Sequence, residues 1–199
     1  IANESQDPRQ MMNAILNSIQ NCVEDVDITR VSTTDADYMF TMIRSKSVGE
    51  STSVVYKCKE CEHSNKVEID LTKVEVNGEK QSDTIKLTDQ VSIRMKHPTY
   101  MDMIQNSALD NPDKYVETTL STITACIDAV LTEEEQISLK DETKESIENF
   151  INSLTTQQFE KVMEYINNIP TMKYTSKFEC ESCHVDNNFT LEGMQDFFS

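Results

Sequence analysis

The chain has 199 residues, and its 35 acidic against 18 basic side chains give a formal net charge of −17 at pH 7. Such an excess is repelled by a phosphate backbone, so non-specific nucleic-acid binding is excluded. No apolar run approaches the roughly 20 residues of a membrane span, and the polar stretch from Ile1 to Pro8 does not read as a secretory signal, so a soluble intracellular protein without stable membrane insertion is expected.

Pro8 opens a predicted helix in which Met12, Ile15, Leu16, Ile19 and Val23 keep helical spacing, and Val26 to Val31 reads as a short strand. Thr33 or Thr34 is expected to cap a second helix ending near Gly49, with Asp35 and Asp37 suiting its positive end. A first β unit follows around Cys58 and Cys61. Leu71 to Val76 continues the strand pattern, Asn77-Gly78 is a hairpin signal, and Thr84 to Met95 alternates apolar with polar residues. From Pro98 the pattern is helical: Tyr100 to Leu109, then Pro112 to Leu131 with Asn111 as cap. Thr132-x-x-Glu135 is a capping box that starts a short turn, Glu142 to Leu154 reads as a helix, and Thr155-x-x-Gln158 is a second capping box whose helix Pro170 closes. A second β unit begins at Tyr174, and Gly193 leads into the apolar tail Met194 to Phe198.

The fold class is therefore α+β, a helical middle flanked by two β units. Residues 1–50 form an N-terminal helical segment, 51–97 a β region with the first cysteine pair, and 98–171 a helical domain; 172–199 carry the second pair and the tail, packing with 51–97.

Four of the six cysteines form two Cys-x-x-Cys pairs, Cys58/Cys61 and Cys180/Cys183. Two intervening residues let a tight turn aim both sulfurs at one ion, so two turns complete a tetrahedral zinc site with Zn–S distances of about 2.3 Å. The contexts match as well: aligned on the cysteines, Tyr56 falls with Phe178, Asn65 with Asn187, Val67 with Phe189 and Ile69 with Leu191. Each unit reads as strand, knuckle, strand, and the pair reads as a zinc-ribbon-like module binding one structural zinc ion through Cys58, Cys61, Cys180 and Cys183. Two separate sites recruiting His63 or His184, disulfides, and a redox dithiol are the alternatives.

Cys22 and Cys126 lie alone on apolar stripes and read as small buried hydrophobes, and His97 has no motif linking it to either. The ten methionines read as core, or as an adaptable partner-binding face; Phe197 and Phe198 dock on the chain's own core or on another chain. Glu133, Glu134 and Glu135 read as a solvated helix start. Three glycines cannot build the usual nucleotide loops, and neither His-Glu-x-x-His nor Gly-x-Ser-x-Gly occurs. A closed shell of four thiolates is structural rather than catalytic. A binding or assembly protein without enzymatic activity is expected.

The stretch NAILNSIQNCVEDVDITRVSTTDADYMFTMIRSKSVGESTSVVYKCKEC, with HPTYMDMI and with FEKVMEYINNIP before the closing cysteine pair, resembles the baseplate hub assembly proteins of T4-like contractile-tailed bacteriophages. The resemblance implies a late phage protein that builds the central hub of the tail baseplate through contacts with other hub or spike proteins, as a chaperone or as a retained subunit. It also implies a place in the host cytoplasm during assembly, or in the virion tail baseplate. Two other readings of the cysteines compete: a zinc-ribbon adaptor binding RNA polymerase or another host or phage protein, and a thiol oxidoreductase.

Overall fold

The computed structural model describes residues 7–78, 81–105 and 115–198. Helix α1 (Pro8–Cys22) starts where expected, with Asp7 accepting from the Arg9 N–H at 3.0 Å and Pro8 in the first turn, and it buries Met12, Ile15, Leu16 and Ile19. The expected strand from Val26 to Val31 is not formed. Asp25 turns the chain at φ 56°, and the next pairing is an isolated bridge from Ser32 to Thr99. Helix α2 (Thr33–Ser47) already includes Thr33, and Thr34 is no cap: its hydroxyl is half of a long-range bond, donating to the Pro170 carbonyl at 2.6 Å.

Strands β1 (Ser51–Lys57) and β2 (Ser64–Asp70) form an antiparallel hairpin in register from Ser51↔Asp70 to Lys57↔Ser64. Beyond it Asp70 caps a 3-10 turn at Leu71–Lys73, interrupting the expected strand before β3 (Glu75–Asn77). Strands β4 (Thr84–Lys86) and β5 (Val91–Met95) follow, then helices α3 (Tyr100–Gln105) and α4 (Tyr115–Cys126). The expected extension of α3 to Leu109 and the Asn111–Pro112 helix start lie outside the described residues.

The helix predicted to reach Leu131 stops at Cys126, and β6 (Ile127–Thr132) begins at once. Ile123, Cys126 and Ile127 satisfy helical spacing, while Ile127, Ala129 and Leu131 satisfy strand alternation. Pairing with β5 decides between them, from Val91↔Thr132 to Met95↔Ile127. The Thr132 box is a hairpin turn rather than a helix start: Thr132 Oγ1 accepts from the Glu134 and Glu135 N–H groups at 3.3 and 3.1 Å, leading to β7 (Gln136–Ser138). The middle of the chain is thus mixed, not helical. Helices α5 (Lys144–Ser153), capped by Thr143, and α6 (Thr156–Asn167), with both halves of the Thr155/Gln158 capping box made, complete it. Strands β8 (Thr171–Glu179) and β9 (Asp186–Glu192) and helix α7 (Gly193–Phe198) end the described chain.

The chain divides into two compact units, one of residues 1–28, 34–77 and 170–199 and one of residues 29–33 and 78–169. In the first, Asn77-Gly78 makes no hairpin with β4; β3 instead joins β8, Asn77 opposite Thr171, in a sheet ordered β3-β8-β9. That pairing holds the exit and return points of the first unit side by side, the condition for inserting a second one. The inner faces of the β1–β2 and β8–β9 hairpins meet through aromatic rings: Tyr56 lies 5.9 Å from Phe178 and 5.3 Å from Phe189 between centroids. Helix α7 packs on β1, β8 and β9, burying Met194 and Phe197, while Arg44 lies 5.0 Å over the half-buried Phe198 ring. The tail therefore docks on its own unit.

The second unit is a four-stranded antiparallel sheet ordered β4-β5-β6-β7 with helices, its core formed by Ile93, Met95, Ile123, Cys126, Ile127, Leu139, Ile151, Val162 and Tyr165. Thr99 and Asp102 form a reciprocal cap at the start of α3: the Asp102 N–H donates to Thr99 Oγ1 at 3.0 Å, and Asp102 Oδ2 accepts from the Thr99 N–H at 3.0 Å. Lys96 Nζ adds an ion pair to the same carboxylate at 2.9 Å. Burial works to raise the Asp102 pKa, but Lys96 and Thr99 outweigh it and hold the carboxyl below its ordinary value. A depressed folded-state pKa contributes stability that is present above the unfolded value of about 3.9 and is lost as pH falls through the folded one. Asp102→Ala is expected to lower stability by about 1–2 kcal/mol at neutral pH, and the difference from the native chain should shrink in acid denaturation below about pH 4.

Candidate metal centre

Both Cys-x-x-Cys pairs sit in turns between antiparallel strands, Cys58 and Cys61 between β1 and β2, Cys180 and Cys183 between β8 and β9. The turns are built alike. The Cys58 N–H donates to the His63 carbonyl at 2.9 Å and the Cys180 N–H to the Val185 carbonyl at 3.0 Å. Glu62 donates back to Cys58 O at 3.0 Å and His184 to Cys180 O at 2.9 Å. Both return residues lie in left-handed backbone, at φ 57° and 59°. The short repeat seen in the sequence is thus a repeat of turn geometry.

The structure brings the four sulfurs together: all lie within 4.8 Å of one another, with Cys58 to Cys183 and Cys61 to Cys180 each at 3.6 Å. Four thiolates around one zinc ion at about 2.3 Å would stand about 3.8 Å apart, so the cross-pairs fit such a shell. The donor set is compatible with a metal site. His63 and His184 are both exposed, and His184 Nδ1 lies 2.9 Å from Glu179 Oε1, outside the cluster. Neither pair opens a helix, where a redox dithiol finds its activating dipole.

Electrostatics within the cluster are divided. The Cys61 and Glu60 N–H groups draw the Cys58 thiol down to about 6 against the cost of burial, helped by Asn187 and Cys183. Cys180 is lowered too, by the Cys183 N–H first, against burial, and then by the Ser182 N–H and the neighbouring thiols. At Cys183 the Val185 N–H favours the thiolate, but Cys61, burial, Cys58 and Cys180 outweigh it and push the thiol up to about 12. Sulfurs this close resist full ionisation together; a dication is what such a set accommodates.

The repeat aligns Asn65 with Asn187, residues that the cysteine spacing alone does not place in the site. Each is 2% exposed. Asn187 Oδ1 accepts from the Lys59 N–H at 3.0 Å, and Asn65 Oδ1 accepts from the Glu181 N–H at 2.9 Å, each reaching into the opposite turn. Their amide groups donate within their own turns, Asn65 to His63 O and Asn187 to Val185 O, both at 2.9 Å. Two matched asparagines on the inner face of a strand, four residues after the second cysteine, were the available signal.

Cys126 is fully buried as expected, and burial pushes its thiol up to about 12. Cys22 is not: it is the last residue of α1 and exposed, beyond Ile19 where the buried stripe closes. Among the described residues no helix is long and apolar enough to cross a membrane.

A model of the family described as T4 bacteriophage base plate protein matches residues 1–199. No curated protein and no solved structure gives a significant match.

The left-handed turn positions generate a direct test. Side chains carry a steric cost of roughly 1–2 kcal/mol in left-handed backbone, greatest for β-branched residues. Glu62→Val is expected to be less stable than Glu62→Gly by about that amount in chemical denaturation. Equal stabilities of the two variants would contradict the turn conformation.

Proposed function

The chain belongs to the T4 bacteriophage base plate protein family, and from that premise we propose that it is a non-enzymatic assembly factor or structural subunit of the central hub of the tail base plate. The observation that carries the reading is the family match over the whole chain. It acts through contacts with other hub or spike proteins, in the host cytoplasm during assembly and in the base plate where it is retained.

The proposed staple of its first unit is one structural zinc ion held by Cys58, Cys61, Cys180 and Cys183. Zinc bound there supplies a closed tetrahedral shell, with binding free energy of roughly 10–16 kcal/mol in comparable structural sites. The support is the grouping of four sulfurs within 4.8 Å, each knuckle contributing two. The residues themselves do the rest: backbone N–H groups stabilise the Cys58 and Cys180 thiolates, and the paired hairpins bury these two cysteines while Cys183 is half-buried and Cys61 exposed.

The net charge of −17 gives the surface a second role. An acidic subunit stays soluble before incorporation and meets basic patches on its partners, a contact that screening weakens.

Protein purified without chelator is expected to carry about one zinc per chain by elemental analysis, and a content far below that overturns the staple. A tagged chain recovered from infected cells is expected to enrich hub or spike components, with recovery falling as salt is raised. No enrichment would overturn the hub role; salt-independent enrichment would overturn the electrostatic part.

A further inference from the structure

We propose that Asn65 and Asn187 are the positioning residues of the four-cysteine site, a reciprocal clamp that holds the two knuckles in ligating arrangement before any metal arrives. The inference rests on the reading of the four cysteines as a metal site and assigns work to residues outside the ligand set.

A Cys-x-x-Cys turn directs its later N–H groups at the first sulfur, as the Glu60 N–H does to Cys58 Sγ at 3.5 Å. The N–H immediately after the first cysteine, on Lys59 or Glu181, is answered in each case by the asparagine of the other knuckle. The exchange is mutual, so neither turn can shift without breaking a bond on both sides.

The amide orientations are fixed by the network. Reversing either one would set its NH2 against a backbone N–H and its oxygen against a carbonyl. Asn187 makes one more contact, its Nδ2 lying 3.5 Å from Cys58 Sγ, so it orients a ligand sulfur directly as well as the opposite turn. Both side chains are almost wholly buried, and a buried N–H that loses its acceptor is costly. Groups that orient ligands typically set metal affinity within a factor of about 10–100. The bonds from each asparagine to the opposite turn run between protein atoms and involve no ligand sulfur, so the clamp is expected to form without the ion.

The test uses the full chain and zinc alone. Zinc affinity is measured by chelator competition, the cobalt-substituted spectrum reports the ligand geometry, and amide hydrogen exchange follows Lys59 and Glu181. In the metal-free native chain both amides are expected to be protected. Asn65→Ala should expose the Glu181 amide and Asn187→Ala the Lys59 amide, and each should weaken zinc by about 10–100-fold.

Asn187→Asp is the nearly isosteric control against misfolding. It retains an acceptor for Lys59, so that amide stays protected. It loses the donor to Val185 and Cys58, so zinc weakens and the cobalt spectrum shifts. Folded variants that bind zinc as the native chain does would overturn the clamp, as would unprotected Lys59 and Glu181 amides in the metal-free native chain. A native chain that binds no zinc would instead overturn the metal reading, leaving amide protection to decide whether the clamp stands as a structural brace.

Discussion

The contact on which the first unit depends is the meeting of two turns that the chain separates by more than half its length. Sulfur faces sulfur across that meeting at 3.6 Å in two places. Among the described residues the β1–β2 hairpin has no other ladder partner, and an isolated two-stranded hairpin is marginal in water. It is held by what it faces: Tyr56 against Phe178 and Phe189, α7 along β1, and the paired knuckles at its tip. In the denatured chain, where the Asn77–Thr171 pairing is absent, a clip at the cysteines closes the long loop between Cys61 and Cys180. Cross-linking a loop of roughly 100 residues is worth about 5 kcal/mol in the chain-entropy account.

The two units draw on different sources of stability. The second buries a continuous apolar cluster, from Ile93 to Tyr165, between a four-stranded sheet and its helices. The first divides its buried surface among α1, two hairpins and a six-residue C-terminal helix, and two buried asparagines stand at the point where its halves join.

Much of the first unit was legible because its signals are local and doubled. The cysteine spacing fixed two turns, and the agreement of Val67 with Phe189 and Ile69 with Leu191 fixed which face of each β2 and β9 strand is buried. Pro8 and Thr155 marked helix starts that the structure keeps, Pro8 in the first turn of α1 and Thr155 as the cap of α6. Where reading failed, tertiary pairing had overruled a local pattern. Ile127 to Leu131 fits a helix until β5 is beside it, Asn77-Gly78 fits a hairpin until β8 claims β3, and Val26 to Val31 has strand composition but turns instead of forming a strand. Asn65 and Asn187 were visible as a repeat, but their purpose lies in hydrogen bonds that cross from one repeat to the other.

Zinc-edge X-ray absorption on the purified full chain tests the central claim most directly. One ion joining both knuckles predicts a shell of four sulfurs at about 2.3 Å and no nitrogen or oxygen. A shell of two sulfurs completed by nitrogen or oxygen would contradict it, because each knuckle would then hold its metal alone and only packing and the asparagine hydrogen bonds would join them.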